Sequence, residues 1–147
     1  SYQINQQHAD GGTVPIVGVF NGCRYTDPTT GKETFSNFYP ASTNASDIEA
    51  FIIDDPMAIF EIQADDTFPV ADLFGNFDIV YTSSGSTTTG ISGAELDVTT
   101  GATTANLPLK AIDISRDPNN SDVSSANTNV LVVIQNHIFG QKGAGLA

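Results

Sequence analysis

Between Ala58 and Ala64 the side chains alternate: Ala58, Phe60, Ile62 and Ala64 fall on one side of an extended chain, Glu61 and Gln63 on the other. A period of two with one apolar face predicts a half-buried strand. Phe77, Ile79 and Tyr81 repeat the pattern after a Phe74-Gly75-Asn76 turn. Leu107–Ile114 repeats it again with a slip of phase near Ala111, which predicts a bulge and a bend in the sheet. Val130–Ile134 is apolar at every position, as a central strand covered on both faces would be, and Gln135–Phe139 extends it towards an edge.

The first part of the chain is less regular. Ser1–Gly12 is polar, and Gly11-Gly12 separates it from the run Val14–Phe20, where Pro15 places the segment at a sheet edge or strand start. Asp27-Pro28-Thr29-Thr30-Gly31-Lys32 supplies turn chemistry between Cys23-Arg24-Tyr25 and Thr34-Phe35-Ser36, so a hairpin is expected. Ser46-Asp47-Ile48-Glu49 has the form of a capping box and predicts a short helical turn. Ala50–Ile53 reads as extended, ended by Asp54-Asp55-Pro56. Thr82–Gly90 and Thr99–Asn106 are rich in Ser, Thr, Gly and Ala and read as loops or solvated hairpin ends. With roughly six or seven short strands and no sustained 3.6-residue period, the expected fold is all-β, a small β-barrel or β-sandwich. Its expected organisation is an extended N-terminal arm over residues 1–13, one β-rich domain over 14–139 and a Gly-rich flexible tail over 140–147.

Composition sharpens this picture in two ways. Nine Phe and four Tyr in 147 residues, 39% of them hydrophobic, are enough for one core. Seventeen acidic residues against five Lys and Arg give a charge of −12, which repels phosphate backbones and anionic membranes, so neither nucleic acid nor membrane is an expected partner. The acids are scattered in ones and twos, as on a solvated outer face. No apolar run approaches the roughly 20 residues that span a bilayer, so the chain reads as soluble. Cys23 is the sole cysteine, so no intrachain disulfide forms, which fits a reducing cytoplasm.

No constellation for chemistry emerges. Cys23 has only His8, in the polar arm, or His137, expected at a surface or an interface, as a base. Ser83-Ser84-Gly85-Ser86-Thr87 lacks the spacing of a nucleophile elbow, and Gly31-Lys32-Glu33 lacks the upstream glycine of a phosphate loop. One Cys and two distant His do not make a zinc site. Asp117, Asn119, Ser121 and Asp122 resemble the start of a calcium loop, but its sixth position is Asp122 rather than Gly and its twelfth is Thr128 rather than Glu. The expectation is therefore a protein without catalysis, cofactor or metal. Phe20, Tyr25, Phe35, Phe38 and Tyr39 with Arg24 form an aromatic segment of the type enriched at interfaces. With Tyr2, Ile4 and His8 of the arm, they are the candidate partner contacts.

Four stretches, Ala50–Asp65, Thr89–Asp97, Leu109–Asn120 and Val130–His137, resemble small virion proteins of tailed bacteriophages. These are the decoration, or cement, proteins that attach outside a head built from an HK97-type capsid protein. The resemblance runs over about Val14–Phe139 and offers no motif of functional residues. It implies a β-barrel or sandwich body, location on the capsid exterior after assembly in the host cytoplasm, and contact with the major capsid protein. It also implies self-association or clustering at capsid symmetry axes, and a trimer, with a dimer as the alternative, is the expected oligomer. The alternative from the residues alone is a calcium- or glycan-binding β-module of an extracellular or adhesive protein, using exposed aromatics with Asp117, Asn119 and Asp122.

Overall fold

The computed structural model describes residues 15–40, 42–82, 85–86 and 88–140. Among these residues eight strands run in the order β1 (Val19–Thr26), β2 (Glu33–Ser36), β3 (Glu49–Ile53), β4 (Ile59–Gln63), β5 (Asn76–Val80), β6 (Glu95–Ala102), β7 (Leu109–Ile114) and β8 (Asn129–Ile134). A single 3-10 turn at Val70–Asp72 is the only helical element among the described residues. The strands form two antiparallel sheets, β2-β1-β3 and β4-β8-β7-β5-β6. The fold is all-β and sandwich-like. The larger sheet curls until its edge strands meet, but only at one parallel bridge, Ala64 to Leu96, where the Asp65 N–H donates to the Leu96 carbonyl at 3.0 Å, so it does not close into a barrel.

Register explains where the core sits. Phe60, Val132 and Ala111 lie side by side across β4, β8 and β7, and Ile62, Val130 and Ile114 do the same one step along. These side chains line the hollow of the curled sheet with Phe68, Phe77, Leu96 and Leu109, and the Phe68 and Phe77 rings stand 5.4 Å apart. The expected alternation in β4 holds: Ala64 is buried, Phe60 and Ile62 are half-buried, Glu61 and Gln63 are exposed. The expected bulge is present as a register shift between Ala111 and Asp113. β8 is covered fully on one face only. Val130, Val132 and Ile134 are buried, whereas Leu131 and Val133 are half-buried beside Glu61 and Asp113, and beside Ile59 and Lys110.

Three expectations are corrected. Thr99–Ala102 is neither loop nor hairpin end but the second half of β6, paired with β5. Its small polar residues pair by fit: the Thr100 hydroxyl accepts the Asp78 N–H at 2.9 Å, and a Cβ on Gly101 would lie 2.8 Å from the Phe77 ring. Ser46–Glu49 makes no helical turn, because Asp47 is drawn to Thr26 and Glu49 opens β3. Beyond Ile134 the chain bends instead of continuing as a strand. The Gln135 N–H donates to the Pro108 carbonyl at 2.7 Å, and the chain is then stitched to Ile16, which accepts from the Ile138 N–H and donates to the Asn136 carbonyl.

The smaller sheet contributes nothing to that core cluster and is covered by its own connection. The expected hairpin joins β1 and β2, with Cys23 opposite Ser36 and Thr26 opposite Glu33, around a turn in which Gly31 adopts φ +68°. From β2 the chain crosses to β3 on the far side of β1, passing over the face that carries Cys23 and Tyr25. Tyr39 meets the Tyr25 ring edge-on at 5.7 Å, and the Phe38 carbonyl lies 3.7 Å from the Cys23 sulfur.

Candidate partner-binding surface

The opposite face of the small sheet has no cover among the described residues. Pairing of Arg24 with Phe35 and Glu49, and of Val19 with Ile53, places these five side chains on it, and the alternation of β3 adds Phe51. Phe35 is 67% exposed, Phe51 43%, Ile53 39% and Val19 38%. A bulge between Phe20 and Cys23 sets Asn21 and Gly22 opposite Phe51. Gly22 adopts φ +112°, and a Cβ there would stand 2.9 Å from the Ser36 carbonyl oxygen, so this position demands glycine. Beside it lies an open cleft of about 320 Å³ lined by Gly22, Asn21, Cys23, Ser36 and Asn37, with Phe35 and Phe51 among its walls.

Charge on this face is compensated internally. Arg24 donates to Glu49 through Nε at 3.1 Å, lies 2.8 Å from it through Nη2, and donates to Glu33 through Nη1. The hydrogen bond to Glu49, then that to Glu33, pushes the guanidinium pKa further up. At the end of β1, the side-chain bond from Thr26 and then its backbone N–H hold the Asp47 carboxyl below its ordinary range. In the hairpin turn the Thr29 N–H does the same for Asp27.

The sequence candidates divide between this face and the interior. Phe35 is exposed and Arg24 lies beside it, while Tyr39 is partly exposed and donates its hydroxyl hydrogen to the Thr43 carbonyl. Phe20 and Phe38 are half-buried. Tyr25 is only 6% exposed, since the β2–β3 connection closes over it, and that burial, with the Asp27 charge adding, pushes its phenol pKa up. The aromatics are not a loop outside the strands: Phe20 and Tyr25 belong to β1 and Phe35 to β2. Tyr2, Ile4 and His8 lie outside the described residues. Phe51, Ile53 and Val19 had not been singled out. The available signal was Phe51-Ile52-Ile53, apolar on both faces in a short strand ended by acids.

Other candidates for chemistry are buried or already engaged. His137, expected at a surface or an interface, is 2% exposed because the bend at Gln135 turns it inward beside Ile16; its Nδ1 accepts the Phe139 N–H at 3.0 Å. Cys23 is buried, and that burial pushes the thiol pKa up. Asp117 accepts the Asn119 N–H at 3.0 Å, and Asp122 accepts from the Ser124 N–H, the Ser124 hydroxyl and the Ser125 hydroxyl. Both carboxylates of the suspected calcium loop thus close their own turns. Among the described residues no group of three His, Cys, Asp or Glu is placed to hold a metal, and no helix is long and apolar enough to cross a membrane.

In comparisons with family models, curated proteins and solved structures, the chain matches none.

Proposed function

We propose that this chain is a decoration protein of a tailed-phage head, bound to the capsid exterior and stabilising the lattice of an HK97-type major capsid protein. The observation that carries the reading is the uncovered face of the small sheet, where Phe35, Phe51, Ile53 and Val19 are exposed together in a chain of net charge −12. A contiguous apolar patch with its one cation already paired is suited to burial against another protein. The remaining acidic surface is suited to solvent. The resemblance of four stretches of sequence to cement proteins adds the capsid as partner, and clustering at a symmetry axis makes a trimer the expected assembly.

A protein that binds only the assembled lattice stabilises it by mass action, and one that bridges neighbouring subunits opposes their separation directly. Such a role needs binding energy and no reacting group. It is tested by adding the purified chain to heads that lack it. Saturable binding with a higher disruption temperature is expected; heads that neither bind the chain nor gain thermal resistance contradict the proposal.

A further inference from the structure

The smaller sheet also ends in an open edge. β3 is hydrogen-bonded to β1 on one side only, and no backbone partner is present on its other side among the described residues. Natural sheets blunt such edges with Pro, Lys, a bulge or a covering segment. Glu49-Ala50-Phe51-Ile52-Ile53 contains no Pro or Lys, and four of its five residues are exposed. The other edges carry at least one contact near their ends. β2 leads into Asn37, whose amide donates to the Thr89 carbonyl at 2.9 Å. β4 and β6 meet each other at Ala64 and Leu96.

The charges around β3 identify the kind of occupant. Asp47 and Glu49 stand at its start, Asp54 and Asp55 follow its end, and the one cation on this face, Arg24, is already held by Glu33 and Glu49. A second copy pairing antiparallel about Phe51 would set Asp47 opposite Asp55 at both ends. A parallel copy in register would stack Glu49 on Glu49 and Asp54 on Asp54. Like charges directly opposite one another destabilise a strand pair. We propose that the free edge of β3 accepts an extended segment of a different protein, apolar at its centre and flanked by Lys or Arg, as a fourth strand of the small sheet. Main-chain hydrogen bonds supply the affinity, and alternate side chains of the guest pack beside Phe51 and Ile53. This inference rests on the sheet edge alone and holds for a capsid partner or any other.

The test uses the purified full chain and fluorescent peptides followed by anisotropy. The first peptide is Lys-Lys-Thr-Val-Thr-Val-Thr-Lys-Lys, the second carries Glu in place of Lys, and the third is the first with every amide of its centre N-methylated. Only the first is expected to bind, and more weakly as salt is raised. Asp54→Lys combined with Asp55→Asn keeps an acceptor for the Met57 N–H, which Asp55 accepts at 2.8 Å, and is expected to weaken binding about tenfold, equivalent to about 1.4 kcal/mol. Absence of binding by the first peptide overturns the inference. So does equal binding of the N-methylated peptide, or unchanged binding to the charge variant. A chain that binds heads but not this peptide overturns the edge inference and leaves the capsid proposal standing.

Discussion

Asp47 accepts two hydrogen bonds from Thr26, 21 residues earlier: one from the backbone N–H at 3.0 Å and one from the hydroxyl at 2.6 Å. The pair pins the end of the β2–β3 connection to the end of β1. With the Tyr25–Tyr39 contact it holds that connection over the inner face of the small sheet, which leaves the outer face for a partner.

That pairing gives the small sheet a dependence on acid. The Asp47 carboxyl is held below its ordinary range, so its contribution is complete above the unfolded-state pKa of about 3.9 and is lost as pH falls through the lower folded value. Asp27 and Asp122 act in the same direction. In an acid titration followed by circular dichroism, Asp47→Ala is expected to lower stability at neutral pH and to flatten the loss of stability below about pH 4. A variant with the wild-type acid profile would show that the Thr26 pairing contributes nothing.

In the larger sheet, Gly101 and Phe77 are expected to be coupled. The Cβ of Gly101→Ala would lie 2.8 Å from Phe77 Cε1, and a core ring has little room to retreat, so a cost of about 1–3 kcal/mol is expected. Phe77→Leu removes the clash while losing ring contacts. Urea denaturation of both single variants and the double variant should therefore show a double variant more stable than the sum of the two losses predicts. Strict additivity would contradict the contact.

Cys23 reports on the cover over the small sheet. Its thiol is buried and its pKa is pushed up, so both access and thiolate population oppose reaction. Labelling by a disulfide reagent at pH 8 is expected to be at least about a hundredfold slower in the native chain than in denaturant. Tyr39→Ala, which removes the aromatic lid from Tyr25, should accelerate native labelling. Fast labelling of the wild-type chain would mean that the connection does not close over this face.

Phe35 is placed to separate the proposed binding from folding. At 67% exposure it supports little of the fold, and Phe35→Ser is expected to change unfolding free energy by no more than about 0.5 kcal/mol. The same substitution should weaken attachment to heads, as measured by the concentration needed for half-saturation. A large loss of stability with unaltered attachment would reverse this assignment.

What could be read from sequence was whatever a strand writes into its own side chains. The alternation from Ala58 to Ala64, the hairpin around Asp27–Lys32 and the phase slip near Ala111 all carry local patterns, and each is present in the fold. The second half of β6, Thr99–Ala102, carried no such pattern, because Thr100 and Gly101 are fitted to Asp78 and Phe77 on the neighbouring strand. The same holds for the candidate surface. Phe35 was legible as an aromatic near Arg24, but the burial of Tyr25 depends on a connection that returns from β2, and the exposure of Phe51 depends on β3 lying at an edge. His137 was misplaced for a similar reason, since the bend that buries it is made by the carbonyl of Pro108.

The proposed attachment to a capsid is put to the test by co-sedimenting the purified chain with heads assembled without it from an HK97-type capsid protein. The wild-type chain is expected to pellet with the heads to saturation, and Phe35→Ser combined with Phe51→Ser to remain in the supernatant while still folded by circular dichroism. A wild-type chain that stays in the supernatant, or a folded double variant that pellets equally well, would contradict the account.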